Sequence, residues 1–467
     1  MVSTGWRSLW QTISLANLSP YEWGRSSYTH RLAGLVHSWR GGSRLLQWAD
    51  FIGLILILLV FVLAPYISTT LIGVLLLSCA AFWALLTLSD DARPHLTPIH
   101  LPVLLYWFIS VFATALSPVK AQAIEGLIKL TLYMLLFALL ARLLRSPLVR
   151  SSVITGYLLT ALLVSVMGIR QWFFGVDALA TWVDPDSAIA GTTRVYSYLG
   201  NPNLLAAYLL PASMFSAAAV FAWKRWIPKA LAALMFVINS ACLVVTFSRG
   251  GWIGFVFAGF VLLLLLVNHW SVRLPRFWQK WAVPFVLAAS AGFVLFAVMS
   301  VEPLRDRAAS IFAGREDSSN NFRINVWMAV IEMVKDRPFL GIGPGNAAFN
   351  KVYPFYQQPG YTALSAYSIL LEIAVETGFI GLSCFLWLLT VTFNQGRIWL
   401  TQMRQDWNRE VFWLMAAIAT MVGMLMHGMV DTVWYRPQVS TLWWLMLAIV
   451  SSYYQFQPVR ERHDAEG

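Results

Sequence analysis

Three features predict an all-α, polytopic integral membrane protein with about twelve transmembrane helices and both termini cytoplasmic. The chain of 467 residues is 58% hydrophobic and 12% charged, against about 45–50% and ~25% in soluble domains. Its apolar residues gather into blocks of the length a bilayer core demands, ~20 residues per helix. Its basic residues concentrate in alternate gaps between those blocks. This pattern excludes an ordinary soluble enzyme, and the wealth of apolar surface excludes a disordered chain.

The elements follow in order. Residues 1–47 form a polar, basic, cytoplasmic segment without the apolar core of a cleavable signal peptide. Within it, Leu32, Leu35, Val36 and Trp39 recur at helical spacing and predict an amphipathic helix lying on the membrane surface. Helices 1–9 occupy 48–301, at 48–67, 69–88, 99–117, 122–142, 151–170, 203–223, 229–247, 250–268 and 281–301. The fourth carries Glu125 and Lys129, whose i,i+4 spacing makes a self-neutralising pair. Pro211 is the only mid-helix proline expected. An outer loop spans 171–202, and a long outer segment spans 302–375. In the latter, Asn320-Asn321 can cap an amphipathic helix over 323–337, with Ile324, Trp327, Met328, Ile331 and Val334 on its packed face. Gly341 to Asn346 reads as a turn; no strand precedes it and no Lys-Ser/Thr pair follows, so it is no phosphate loop. Three further spans, 376–396, 411–430 and 438–456, fill 376–456, and 457–467 is a cytoplasmic tail.

Charge placement supports this topology. Twenty Lys and Arg fall on the cytoplasmic segments and five on the short outer connections. The net charge of +11 is therefore a topological signal and implies no nucleic-acid partner. Cys79, Cys242 and Cys384 sit inside apolar runs without metal-ligand spacing and read as small buried hydrophobes. No metal site and no cofactor are expected.

A few outer arginines stand apart from the topological pattern. Arg249 interrupts about forty apolar residues, where an unpaired guanidinium is costly. Arg194 precedes an apolar helix, Arg323 opens the outer helix, and Arg315 lies just before it. Guanidinium forks bind planar and tetrahedral oxyanions through parallel hydrogen bonds. A cluster of Arg194, Arg249 and Arg323 thus suits bicarbonate, a carboxylate or a pyrophosphate; pairing with local carboxylates such as Glu316, Asp317 or Asp431 is the structural alternative. Supporting candidates are His427 and Asp431 at i,i+4 spacing, Arg436 behind them, and Glu372 with Glu376 entering the tenth span. Glu376-Thr377-Gly378 reads as a conformational junction.

Ser197-Tyr198-Leu199-Gly200-Asn201-Pro202-Asn203-Leu204-Leu205-Ala206, Phe247-Ser248-Arg249-Gly250-Gly251-Trp252, the stretch Gly314 to Asn346, Leu364 to Ser368 and Asp431 to Pro437 closely resemble the cyanobacterial inorganic-carbon-transport protein B family, implicated in bicarbonate uptake. That family lies within the O-antigen ligase and polymerase superfamily. The resemblance implies a glycosyltransferase C-type helical body in the inner membrane, a ligase-related region over about 190–390, and a long periplasmic loop before the tenth span. In the ligases, outer arginines hold a lipid-linked pyrophosphate, and Arg194, Arg249 and Arg323 fall where those motifs place them. The ligases also carry a His-Asn pair shortly before the Glu of a Glu-Thr-Gly motif, the His serving as base. Counting back from Glu376 gives Tyr367 and Ser368, and no His lies between His269 and His427. Tyr, with an unperturbed pKa of about 10, is a poor base.

The functions expected are therefore bicarbonate uptake or accumulation, alone or with a transport-complex partner; ligase-like or polymerase-like transfer of a lipid-linked glycan; or non-catalytic membrane binding and assembly. The corresponding partners are membrane lipid and either bicarbonate or a lipid-linked anion.

Overall fold

The computed structural model describes residues 2–18, 42–89, 96–176, 194–300, 302–404, 408–431 and 433–454. Among these there is no strand. The α-helices of seven or more residues are α1 (Val2–Ile13), α2 (Ala49–Leu63), α3 (Thr69–Leu88), α4 (His100–Ala115), α5 (Lys120–Leu143), α6 (Pro147–Phe174), α7 (Pro202–Ala222), α8 (Trp226–Val244), α9 (Arg249–Ser271), α10 (Arg276–Ser300), α11 (Glu302–Ala309), α12 (Ser318–Asp336), α13 (Asn346–Val352), α14 (Ile369–Met403), α15 (Val411–Gly428) and α16 (Pro437–Ser452). The helix expected at Leu32–Trp39, the end of the 1–47 segment, the middle of the 171–202 loop and the tail 457–467 lie outside the described residues.

Each of the twelve expected spans coincides with a helix. Nine described helices (α3, α5 to α10, α14 and α15) are long and apolar enough to cross a membrane. The other three, α2, α4 and α16, have 15, 16 and 16 residues. At 1.5 Å per residue these reach about 23–24 Å, short of a ~30 Å hydrocarbon core.

The core centres on α7, α15 and α16, which are apolar on all sides and buried on all sides. α15 crosses α9 at closest approach where glycines meet. A Cβ on Gly254 would stand 2.6 Å from the Gly423 carbonyl oxygen, and one on Gly423 would stand 2.7 Å from the Gly254 carbonyl oxygen. Small residues let backbones approach this way where packing drives association. Some buried polar groups within the bundle are paired across helices. Ser165 Oγ donates to Asn239 Oδ1 (2.7 Å) and Asn239 Nδ2 to Ser216 Oγ (3.2 Å), tying α6, α8 and α7. Arg150 of α6 is buried against Glu410 at 2.6 Å and lies 4.2 Å over the Tyr453 ring, clamping the α15 and α16 ends. The three cysteines are free and buried. Glu125 and Lys129 pair at 2.6 Å on the exposed face of α5.

The structure departs from the sequence-based expectation at three places. α12 begins at Ser318 rather than Arg323, because Asp317 caps it by accepting from the Asn320 N–H at 2.8 Å. Its packed face is Val326, Ala329, Val330, Met333 and Val334, the last as expected, whereas Met328 and Ile331 are exposed. Both faces of this helix are apolar, so periodicity alone could not rank them. α10 starts at Arg276, which makes Pro284 a second proline inside a helix, in addition to Pro211 of α7.

α14 is two helices joined at Gly378, whose φ of 67° and ψ of −172° are non-helical. The segment 338–345 fills the break. Phe379 N–H donates to the Pro338 carbonyl (2.7 Å), Ile342 N–H to the Val375 carbonyl (2.9 Å) and Gly343 N–H to the Glu376 carbonyl (2.9 Å). A broken span is tolerated at membrane depth only when the freed backbone groups find such partners. The fit is tight: a Cβ on Gly378 would stand 2.1 Å from the Phe339 carbonyl carbon, and one on Gly126 of α5 would stand 1.8 Å from the Pro344 carbonyl oxygen.

Candidate anion-binding site

Arg249 is the first residue of α9, placed there by Ser248, whose side chain caps the helix by accepting from the Gly251 N–H. Arg194 reaches the same end of the bundle from the outer loop. Its Nε donates to the Thr246 carbonyl (3.1 Å) and its Nη2 to Asn203 Oδ1 (3.1 Å). Asn203 is itself set by the Asn201 cap of α7. Arg323 stands on α12, with Nη1 on Ser319 Oγ at 2.9 Å and a buried Nε that has no partner among the described residues. The structure thus brings Arg194, Arg249 and Arg323 together.

A fourth guanidinium joins them. Arg307 of α11 donates from Nε to the Phe247 carbonyl at 3.3 Å. Burial, with Arg249 and Arg194 beside it, pulls its proton affinity down to about 9. Burial also lowers Arg194, to about 10, with Asp431 opposing and Arg249 and Arg323 reinforcing the shift. Arg323 is lowered chiefly by burial and further by Arg249, with Asp431 opposing. All stay protonated at neutral pH. Among the described residues, Asp317 and Asp431 are the carboxylates within this cluster. Four guanidiniums against these two described carboxylates leave positive charge in excess, which an anion would relieve.

Arg249 and Arg323 line a cavity of about 200 Å³. Gly250 and Asn320 contribute to its polar side, and Ile253, Ile311, Ile324, Trp327 and Val430 form its apolar walls. The Arg249 fork is largely committed to the protein: Nη1 donates to the Ser310 carbonyl and Oγ (3.0 Å each) and Nη2 to Asp317 Oδ1 (2.8 Å). Arg315 is exposed and bonded to Asn321 and Met328, away from the cavity lining.

The supporting candidates divide. Asp431, His427 and Tyr367 belong to the arginine cluster. His427 is buried behind Gly250, where a Cβ would stand 2.7 Å from its Cδ2, and its Nε2 has no partner among the described residues. Its carbonyl accepts the Asp431 N–H at 3.1 Å. Tyr367 packs edge-on against Phe322 (5.5 Å) while its carbonyl accepts from Trp327 Nε1 (3.3 Å). Burial, with Asp431 adding to it, pushes its phenol above the usual range. Its φ of 52° is left-handed, as are those of Ser197 and Phe247. All three lie in the segments that carry the arginines or flank them, and such strain concentrates at functional sites.

Glu372 and Glu376 belong elsewhere. With Lys129 and Tyr435 they line a separate cavity of about 150 Å³ between α4, α5, α14 and α16. Glu376 Oε1 accepts the Gly345 N–H (2.8 Å) and Glu372 Oε2 the Ala366 N–H (2.6 Å), so each holds a loop in place. Arg436 lies over the Tyr435 ring at 5.1 Å on that side. Sequence reasoning passed over Arg307, and it read Asp317 only as a local charge partner. Arg307 sits in the mixed-charge run Glu302 to Arg307 with nothing to mark it, whereas Asp317-Ser318-Ser319-Asn320 does carry a cap signal.

The O-antigen ligase family model matches residues 207–386. The matched stretch includes Arg249, Arg307, Arg323, Tyr367, Glu372 and Glu376, and leaves out Arg194, His427 and Asp431. No curated protein matches the chain. The protein is an all-helical, multi-pass membrane protein with an O-antigen ligase-like domain.

Proposed function

We propose that the protein binds the diphosphate of a lipid-linked glycan at the Arg249–Arg323 cavity and acts in ligase-like or polymerase-like glycan transfer at the periplasmic face of the inner membrane. One observation carries this reading: two guanidiniums and five apolar side chains line the same cavity, which suits a ligand that joins an anionic group to hydrocarbon. In transfer, an acceptor hydroxyl bonds to the anomeric carbon and releases its proton to solvent while the bond to the diphosphate breaks. The leaving diphosphate gains negative charge, and prearranged positive groups stabilise such charge most where water is scarce. Tyr367 stands where the resemblance places the ligases' histidine, and its raised phenol makes it no base. His427 is the imidazole nearest the cluster, separated from the cavity by Gly250.

A second reading keeps the resemblance to the inorganic-carbon family and assigns the arginines to bicarbonate. It is favoured by the cavity lining, which among the described residues includes no carboxylate, imidazole or amine to accept a proton. Purified protein given a lipid-linked glycan and an acceptor should release free polyprenyl diphosphate. No release by a folded sample, together with labelled bicarbonate flux in liposomes, would transfer the assignment to the second reading.

A further inference from the structure

At the end of the bundle away from the arginine cluster, a cavity of about 280 Å³ opens between the last turns of α9 and α14 and the first turns of α15. The two sites are far apart: α9 has 23 residues, about 35 Å of helix, with Arg249 in its first turn and Asn268 and His269 in its last. This second cavity is also two-sided. Arg397, Arg404 and His269 provide its polar wall, and Phe393, Met415 and Ile418 are among its apolar lining. No carboxylate lines it among the described residues.

Its polar groups are short of acceptors. Arg404 Nη2 donates to the Asn268 carbonyl and to Ser271 Oγ, but its buried Nε has no partner among the described residues, and neither has His269 Nδ1. Arg397 donates from Nη2 to Asn394 Oδ1 (3.1 Å). Buried polar atoms are nearly always hydrogen-bonded, so orphans gathered in one place call for a ligand. Two guanidiniums with no carboxylate among the described lining residues ask for an oxyanion, and the apolar wall asks for hydrocarbon.

We infer that this cavity binds the phosphate headgroup of an anionic phospholipid from the adjoining leaflet, with its acyl chain along Phe393, Met415 and Ile418. Basic pockets between helices at a membrane boundary recognise such headgroups, at roughly fivefold in affinity per cationic side chain. The inference is independent of the glycan reading, because it uses a different cavity at the other end of the molecule.

The test uses the full-length protein and native mass spectrometry with phosphatidylglycerol and phosphatidylcholine offered together. The expected result is preferential retention of phosphatidylglycerol, reduced about fivefold by Arg397→Gln and further by adding Arg404→Gln. Arg404 ties α14 to α9, so Arg404→Gln alone could disturb the fold; Arg397 is exposed, and an unchanged Tm for Arg397→Gln separates lost binding from lost structure. Equal retention of the two lipids by the wild type, or full preference in Arg397→Gln, would overturn the inference. So would inorganic phosphate binding to protein in phosphatidylcholine nanodiscs as tightly as the anionic lipid does, since the ligand would then be a free anion.

Discussion

Arg249 and Asp317 meet at 2.8 Å although 68 positions separate them in the chain. The contact joins the first residue of α9 to the cap of α12, and it gives the arginines different tasks. Arg249 spends three hydrogen bonds on Ser310 and Asp317 and holds the returning segment against the bundle. Arg323, one turn into α12, keeps an Nε without a partner among the described residues beside the cavity. On the reading we propose, Arg249 is chiefly a positioning residue, and Arg323 is the side chain that would grip the ligand.

Replacing Arg249 by Ala should leave Asp317 half-buried without its partner. Breaking a fully buried pair costs about 3–5 kcal/mol; Asp317 retains some solvent contact, so a smaller loss of about 2–3 kcal/mol is expected. The Arg249→Ala, Asp317→Ala double variant should lose less than the sum of the single losses. Thermal unfolding in detergent, arranged as a double-mutant cycle, reads the coupling; strict additivity would show that the contact contributes nothing.

The same contact sets a pH dependence. Burial raises the Asp317 carboxyl, but the hydrogen bonds from Arg249 and from the Asn320 N–H outweigh it, so the folded value lies below the ordinary one. A carboxyl lowered on folding contributes stability that is fully present above its unfolded pKa, about 3.9, and is lost as pH falls through the folded value. The drop in Tm below about pH 4 should be shallower in Asp317→Asn than in the wild type. Parallel acid limbs would contradict this.

His427 and Gly250 make a steric prediction. Gly250→Ala places a methyl within 2.7 Å of the His427 ring, and overpacking of this kind costs about 1–3 kcal/mol. His427→Ala should relieve much of that cost when combined with it. Additive losses in Tm would mean that the methyl meets resistance from Val430 instead.

Gly378→Ala should be among the most damaging single changes in the chain. The position needs a positive φ, and a Cβ would fall 2.1 Å from backbone of the segment 338–345. The expected outcome is loss of folded protein from the membrane, measured by size-exclusion chromatography of the solubilised variant. A monodisperse, wild-type-like sample would show that the break in α14 is not required.

Legibility in the sequence followed the range of the interaction. The apolar blocks, the buried cysteines and the junction at Glu376-Thr377-Gly378 depend on local composition or spacing, and each could be read from the chain. The convergence of Arg194, Arg249 and Arg323 was suggested by their cost at membrane depth and by resemblance rather than by any local pattern. Arg307 was not legible, because its role exists only once α11 folds back beside the Phe247 carbonyl. Glu372 and Glu376 were legible as a pair but not as holders of loops, since the Ala366 and Gly345 N–H groups they bind come from segments that only the tertiary fold brings to them.

The most direct test is equilibrium binding of a polyprenyl diphosphate to the protein in nanodiscs, wild type against Arg323→Ala. Hydrogen bonds to a charged group contribute about 1.5–3 kcal/mol, so Arg323→Ala should weaken binding roughly 10- to 100-fold with Tm nearly unchanged, and bicarbonate should fail to compete. Undiminished affinity in Arg323→Ala, or displacement of the lipid diphosphate by bicarbonate, would contradict a lipid-linked glycan at this cavity.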